Sequence, residues 1–145
     1  DAFISGLLHD MGQLVMVSID AEKARELRKQ YPEEGISSCF GETLAFGFNH
    51  CQLAAECLDR WALPGRVVHA VRHHHDHNPV DQPTALLVLA DEVATEFVNG
   101  TGIRDIVTFA VNHTQNRVLR ISEAKMNARL RQVRELVSGF RSLTE

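Results

Sequence analysis

Histidine stands out in this sequence, because eight occur and five of them lie between His69 and His77. Near the start, His9 and Asp10 place an imidazole and a carboxylate side by side after an apolar segment. Consecutive helical residues point about 100° apart, so one of the two must lie on or beside the buried face. Burying an ionisable group is costly unless it is paired or binds a metal. The pair therefore suits a divalent transition metal, although a core histidine paired with its neighbour would fit the same two residues.

Other ionisable residues fall on or beside the apolar faces of three further predicted helices: His50, the pair His74-His75, and Asp91. Each of them alone is typical of a satisfied polar group in a core. Four inward positions of metal-ligand type favour a metal centre, since their nitrogen and oxygen atoms could fill five or six coordination positions on one or two ions. Such a metal could activate water against a phosphate ester.

Hydrophobic periodicity places these residues on helices. The first predicted helix runs from the start to Ser18, and its core-facing residues are Ile4, Leu7, Leu8, Met11, Leu14 and Val15. Further helices are predicted at 21–31, from 37 or 38 to 46, 50–61, 64–75, 84–98, 103–114 and after Ser122. Strand signals are nearly absent, although residues 106–109 alone could form a strand. We therefore predict an all-α bundle of six to eight helices in one domain spanning residues 1–145.

Composition indicates an ordinary soluble globular protein, with 44% hydrophobic and 23% charged residues and a net charge of −4. No apolar run approaches 18 residues, so no membrane span is predicted. The three cysteines are odd in number and form no Cys-x-x-Cys, which favours free thiols in a reducing cytoplasm. Cys51 and Cys57 are predicted to be small core residues, and Trp61 a core anchor.

The last helix is basic: seven Lys or Arg residues lie between Arg117 and Arg141, against two acidic residues. A solvated helix face is the simpler interpretation, and an anionic or protein partner is the alternative. A nucleic-acid partner is not expected for the chain as a whole. The sequence begins at Asp1 inside a helical pattern, so we expect it to be a piece of a longer protein.

The segment His9-Asp10-Met11-Gly12 resembles the His-Asp-x-Gly core of the HD superfamily of metal-dependent phosphohydrolases. Three later segments resemble the HDOD subgroup, in which a Gly-x-x-His, a Trp-x-Leu-Pro and an Ala-Ile-x-x-His-His sequence recur. They are Gly47 to His50, Trp61 to Pro64, and Ala70 to His75. The resemblance covers about residues 1–98 and implies an HD-type orthogonal helical bundle that lacks its upstream helices here.

The resemblance also implies a ligand set and a function. The metal positions of the superfamily correspond to His9, Asp10, His50, His74, His75 and Asp91, with Fe, Mn, Zn and Mg as candidate ions. Asp10 would be the catalytic carboxylate of an active enzyme, and Arg72 a weak candidate for contacting phosphate, although a surface role for it is simpler. HDOD domains are bacterial signalling modules, often joined to receiver, kinase or second-messenger domains.

Three departures from the superfamily pattern bear on activity. The usual upstream histidine is absent, the lysine that usually follows His-Asp-x-Gly is Gln13, and no Gly-Tyr-Pro follows His75. Hydrolysis of cyclic dinucleotides is therefore not expected. We predict a regulatory module that acts through protein contacts, with a metal-dependent phosphohydrolase as the alternative. The segment alone should bind metal weakly or not at all, and should either self-associate through the apolar face of its first helix or dock onto the missing upstream segment.

Overall fold

The computed structural model describes residues 1–34, 38–76, 78 and 81–141. These residues form helices and no strand, which confirms the all-α prediction. Ten helices are present among them: α1 Ala2–Leu8, α2 Met11–Ile19, α3 Ala21–Glu34, α4 Ser38–Phe46, α5 His50–Arg60, α6 Gly65–Arg72, α7 Gln82–Val98, α8 Ile103–Asn112, α9 Asn116–Leu119 and α10 Glu123–Arg141. The number exceeds the predicted six to eight because the first predicted helix is divided in two and because α9 is an additional single turn.

The helices group into two compact units, Asp1–Pro79 and Val80–Glu145. The first unit contains α1 to α6, and the second contains α7 to α10. The interpretation of residues 1–145 as a single domain stays a prediction.

The division between α1 and α2 falls on the His-Asp pair. His9 is the last, helical cap of α1, whereas Asp10 caps α2 with φ −94° and ψ 5°, outside helical geometry. The predicted continuous helix is therefore wrong at this point. The turn divides this segment into two short helices and places Asp10 at the end of a helix rather than inside one.

The buried face of these two helices also differs from the predicted one. Ser5, Gly12 and Met16 are the buried residues, whereas Leu7 is 69% exposed and Leu14 is 75% exposed. Gly12 is buried because its backbone lies directly against the backbone of His50 at the start of α5. The close approach of α2 to α5 therefore requires glycine at residue 12, whereas Leu7 and Leu14 point away from the core.

The core of the first unit lies between α5 and α6. Its completely buried residues are small or branched: Ala54, Ala55, Leu58, Val67, Ala70 and Val71. Helix α5 begins with a capping box in which the Asn49 side chain accepts from the Gln52 N–H and the Gln52 side chain accepts from the Asn49 N–H. This cap fixes the position of His50, the first residue of the helix.

The end of α5 corrects the prediction for Trp61, which is 60% exposed rather than a core anchor. The Leu63 N–H donates to the Leu58 carbonyl, and Ala62 takes the left-handed conformation with φ 56°. These are the features of a Schellman cap, in which the residue after the left-handed one makes the hydrophobic contact with the helix. Leu63, which is half-buried, occupies that place, and Trp61 lies outside it.

Three other boundaries differ from prediction. Helix α3 continues through Pro32 for its last turn, since a proline near a helix end removes only one intrahelical hydrogen bond. Helix α6 starts after Pro64, which is its cap, and ends at Arg72, so that His74 and His75 lie in the following turn. Helix α7 begins at Gln82, two residues before the predicted start, because Asp81 caps it by accepting from the Thr84 N–H.

The second unit packs α8 and α10 together around Leu89, Ile106, Val107, Ala110, Met126 and Leu130. Residues 106–109 lie inside α8, so their β-branched character did not produce a strand. His113, which closes α8, is paired with Glu92 on α7 at 2.6 Å between Nε2 and Oε2. This pair ties the two helices to each other.

By length and composition alone, the segment Ala2–Ile19 could cross a membrane, which the sequence analysis did not expect. Single segments that pass this test are weak evidence, because core segments and signal sequences pass it as well. This one is interrupted by the turn at His9 and Asp10. The absence of a membrane span stays a prediction.

The contact between Gly12 and His50 can be tested by adding one methyl group. A Cβ at residue 12 would overlap the His50 carbonyl oxygen and lie 2.8 and 2.9 Å from the His50 carbonyl carbon and Cα. Since these are backbone atoms, Gly12→Ala should lower the free energy of unfolding by about 2–4 kcal/mol, at or above the usual range for overpacking. Urea unfolding followed by circular dichroism measures it.

Gly6→Ala is the matched control, because Gly6 lies inside α1 and nothing lies within 4 Å of a Cβ there. Alanine should be neutral or stabilising at that position, by up to about 1 kcal/mol. Equal effects of the two substitutions would contradict the proposed close approach of α2 and α5.

Candidate metal centre

Helix packing in the first unit brings together residues that are far apart in sequence. Asp10 lies in the turn between α1 and α2, His50 begins α5, and His74 and His75 follow α6. Helix α5 packs against both α2 and α6, and α1 packs against α6. The ends of these helices therefore meet at one place.

Four donor atoms of Asp10, His50, His74 and His75 lie within 4.8 Å of one another. The Asp10 Oδ1 atom is 3.5 Å from His50 Nε2 and 3.7 Å from His74 Nε2. His75 Nε2 is 3.2 Å from His50 Nε2. We call these four residues the donor cluster. His50 and His74 are buried, whereas about half of the Asp10 side chain is exposed.

Two imidazoles of the cluster, those of His50 and His74, are held through their Nδ1 atoms. His50 Nδ1 is 2.6 Å from Glu42 Oε2, and His74 Nδ1 is 2.6 Å from the Val71 carbonyl oxygen. Both partners are acceptors, so each Nδ1 carries the proton and donates it. In the neutral rings, Nε2 therefore presents a lone pair toward Asp10. A carboxylate or carbonyl behind the ring is the usual support of a histidine that binds a metal.

The geometry fits a metal ion. His74 Nε2 is buried and has no hydrogen-bond partner among the described residues. Two ligand atoms on one ion, with bonds of about 2.0–2.2 Å, lie about 3 Å apart in octahedral and about 3.4 Å apart in tetrahedral coordination. The observed 3.2, 3.5 and 3.7 Å are at or slightly above this range. The four residues are therefore a suitable ligand set for a divalent ion.

Electrostatics keep the Asp10 carboxylate ionised. Burial alone would raise its pKa, but His74, His9 and His50 surround it and lower the pKa to about 2. Gln13 also donates a hydrogen bond to Asp10 Oδ1 at 3.1 Å and accepts one from Arg28 at 2.8 Å. Gln13 thus links Asp10 to a cation on α3, and a cavity of about 160 Å³ extends beyond it between Arg28 and Glu42.

His50 has the opposite balance. Burial favours its neutral form, but the hydrogen bond and the charge of Glu42 outweigh this effect and raise the pKa of His50. Glu42 also accepts from the His50 backbone N–H at 2.8 Å. One carboxylate therefore holds both the ring and the start of α5.

Sequence analysis missed three residues beside the cluster. Glu42 is one of them, because no sequence motif marks it as the partner of His50. Cys39 on α4 and Cys51 on α5 have their Sγ atoms 3.5 Å apart, and Cys51 Sγ is 3.5 Å from His50 Nε2. The hydrogen bond between the thiols lowers the pKa of Cys39 and raises that of Cys51. The burial of Cys51 confirms that it is a core residue, whereas Cys57 is half-buried.

Two predicted ligands are not among the four donors. His9 Nε2 is 3.4 Å from the other oxygen of Asp10, and its Nδ1 is bound to the Gly6 carbonyl at 2.9 Å. It therefore supports the carboxylate from the side. Asp91 is half-buried on α7 in the second unit, and its role as a ligand stays a prediction.

The remaining candidate residues lie around α6. Arg72 is exposed, and its contact with phosphate stays a prediction. His69 is exposed, while His73 is half-buried and paired with Asp76 at 2.8 Å. His77 lies outside the described residues.

Comparison with known proteins identifies related sequences and a related fold. The family model of the HDOD domain matches residues 1–77, just over half of the chain and nearly all of the first unit. An uncharacterized protein of Treponema pallidum (strain Nichols) is 29% identical over 103 residues, which cover 69% of this chain and 20% of that protein. This chain thus spans about a fifth of the length of that relative.

A crystal structure of a "Putative phosphohydrolase" from Shewanella amazonensis SB2B has a similar fold, with a TM-score of 0.77 and 16% identity. The match covers 90% of this chain and 49% of that one. At this identity the likeness shows the fold alone. It supports the prediction of an HD-superfamily type of helical bundle.

The pairing of His50 with Glu42 predicts a pH dependence of stability in metal-free protein. Because the folded-state pKa of His50 is raised above 6.5, its contribution is complete below about pH 6.5 and is lost as pH rises through the folded-state pKa. Glu42→Gln keeps an acceptor for the backbone N–H but removes the charge. We expect the decline in unfolding free energy between about pH 6 and pH 9 to be shallower in this variant, as measured by urea unfolding in chelator.

Glu56→Gln is the control, since Glu56 is an exposed carboxylate on α5 that pairs with the exposed Arg60. It should leave the pH dependence unchanged. If the unfolding free energy of wild type and Glu42→Gln changed equally with pH, Glu42 would not be the group that raises the pKa of His50.

Proposed function

The chain belongs to the HDOD domain family, and on that basis we propose that it is a regulatory module of signal transduction that acts through contacts with other protein domains. The partners we propose are adjacent or separate receiver, kinase or second-messenger domains in the cytoplasm. The donor cluster serves this module as a structural metal site.

The observation that carries the proposal is an apolar surface on α1 and α2. Its residues are Phe3, Leu7, Leu14, Val17 and Ile19, which are 80%, 69%, 75%, 44% and 57% exposed. We call them the α1–α2 surface. Monomeric soluble proteins rarely expose large contiguous apolar patches, and such patches commonly bind protein or membrane.

A protein domain is the occupant we propose for this surface. The turn between the two helices carries Asp10, whose carboxylate is charged and held by histidines. Other faces of the same helices pack on α5 and α6. A segment anchored in this way suits docking of another domain better than insertion into lipid. The two similar proteins described above are longer than the matched region, which is 20% and 49% of their chains. Their remaining parts have room for a domain that would cover this surface.

The donor cluster connects metal binding to this surface. Asp10 and His9 lie directly between α1 and α2, so an ion bound to Asp10, His50 and His74 would hold the turn against α5 and the end of α6. An ion that binds only the folded form would stabilise that form by about 2.7 kcal/mol when the free ion concentration is 100 times Kd. The proposed role is to fix the orientation of the two helices that carry the surface.

A charge on the α1–α2 surface should weaken association. In the absence of a partner, the chain should self-associate at micromolar concentration, and Leu14→Glu should weaken this by at least about tenfold, or about 1.4 kcal/mol. Leu14 is exposed, so the substitution should leave the fold intact. Sedimentation velocity measures the association, with flotation on phosphatidylcholine–phosphatidylglycerol vesicles as a parallel assay.

Val98→Glu is the matched control, because Val98 is 84% exposed at the end of α7 in the second unit. It should not change the sedimentation. Unchanged association of Leu14→Glu would contradict the proposal, and binding to vesicles that Leu14→Glu abolishes would replace the protein partner by a membrane.

The second candidate function is a metal-dependent phosphohydrolase, which the convergence of Asp10, His50, His74 and His75 favours. A divalent ion, when bound, supplies Lewis-acid chemistry toward a phosphate ester. The chain itself would orient the ion through His50 and His74, whose Nδ1 atoms are fixed. Gln13 stands at the position where a lysine would meet phosphate. The Gln13 side chain accepts a hydrogen bond from Arg28, which brings another cation to this place.

A hydrolysis assay distinguishes the regulatory module from the phosphohydrolase. A regulatory module should hydrolyse bis(p-nitrophenyl) phosphate no faster than buffer in the presence of Mn²⁺ or Fe²⁺. Activity that Asp10→Ala abolishes, and that His73→Gln retains, would establish the phosphohydrolase instead. His73 is the control because it adjoins His74 in sequence but is paired with Asp76 outside the cluster.

A further inference from the structure

Two cysteines adjoin the donor cluster at His50. Cys39 lies on α4 and Cys51 on α5, with a separation of 3.5 Å between their Sγ atoms. Both are free thiols, and Cys51 is 3% exposed. Helix α4 also carries Glu42, so one element supplies both a thiol and the carboxylate that orients His50.

The thiols share two histidines with the donor cluster. Cys51 Sγ is 3.5 Å from His50 Nε2, which is 3.2 Å from His75 Nε2. Donor atoms of Cys39, Cys51, His50 and His75 all lie within 4.8 Å of one another. Two sulfurs and two imidazole nitrogens form a common ligand set for tetrahedral zinc.

The distances agree with that coordination. With Zn–S bonds of about 2.3 Å and Zn–N bonds of about 2.05 Å, tetrahedral ligands lie about 3.8 Å apart for two sulfurs, about 3.6 Å for sulfur and nitrogen and about 3.4 Å for two nitrogens. The corresponding separations here are 3.5, 3.5 and 3.2 Å. Each of these three separations lies within about 0.3 Å of its tetrahedral value, and the other three donor–donor separations are at most 4.8 Å.

We propose that Cys39, Cys51, His50 and His75 form a zinc site that is an alternative to the donor cluster containing Asp10 and His74. The two sites exclude each other, because the Nε2 atom of His50 has one lone pair and can bind one ion. Thiolate ligands favour zinc, whereas the carboxylate favours harder ions such as Mg²⁺ and Mn²⁺. The softness of the ion would therefore decide which of two overlapping ligand sets is used. This inference rests on the positions of the two thiols and the two shared histidines and does not depend on the regulatory role.

Cobalt substitution tests the thiolate ligands directly. The reduced chain loaded with one equivalent of Co²⁺ should show sulfur-to-cobalt charge-transfer absorption in the near ultraviolet and intense visible bands typical of tetrahedral coordination. Zn²⁺ should displace the cobalt and remove both features. Metal content is measured at the same time by mass spectrometry of the loaded protein.

Variants assign the ligands. Cys39→Ser should abolish the charge-transfer band or halve it, and should weaken Zn²⁺ binding by more than about 100-fold, the upper end of what loss of a supporting group alone costs. Cys51→Ser should have the same effect. Cys57→Ser is the matched control, since Cys57 lies on α5 but not among the four donors, and Asp10→Asn should also retain the band.

Three results would overturn the proposal. The first is a cobalt spectrum without sulfur charge transfer. The second is loss of the band in Cys57→Ser as well as in Cys39→Ser. The third is failure of the reduced chain to bind Zn²⁺ while air oxidation joins Cys39 to Cys51, which would identify the pair as a disulfide. If Cys51→Ser does not fold, the wild-type spectrum and Cys39→Ser still decide the question.

Discussion

The backbone contact between Gly12 and His50 sets the distance between α2 and α5, and the donor cluster depends on it. A side chain at residue 12 would force the start of α5 away from the Asp10 turn. His50 Nε2 and Asp10 Oδ1 would then separate beyond the 3.5 Å that lets them share an ion. The glycine of the His-Asp-x-Gly segment is thus required because it has no side chain. It allows a carboxylate on one helix to meet an imidazole on another.

The second constraint is the orientation of the rings. Glu42 and the Val71 carbonyl hold His50 and His74 by their Nδ1 atoms, which leaves both Nε2 atoms directed at the cluster. Such fixed rings lose little side-chain freedom when they bind a ligand. The cost of burying them is met by hydrogen bonds that exist before any ion arrives. The site is therefore largely pre-formed by the fold.

Sequence reasoning identified the helices and four of the converging residues, because apolar periodicity and the motif spacing depend on local sequence. It missed the break at Asp10, since His9 and Asp10 follow an uninterrupted apolar pattern. It also placed Leu7 and Leu14 in the core, because periodicity reports an apolar face but not which neighbour covers it. Cys39 and Cys51 were not linked, since helices α4 and α5 bring them together across a loop and no Cys-x-x-Cys marks them. Long-range packing of this kind has no short sequence signature.

The Schellman cap of α5 places the single tryptophan of the chain, Trp61, at the edge of the first unit. Its indole emission therefore reports on the end of α5 in the first unit, whereas ellipticity at far-ultraviolet wavelengths averages the helices of both units. Coincident transitions from these two optical signals would mean that residues 1–79 and 80–145 melt cooperatively, as one thermodynamic entity. An indole transition that precedes or follows the loss of ellipticity would mean that the first unit, which the HDOD family model matches, unfolds independently of the second.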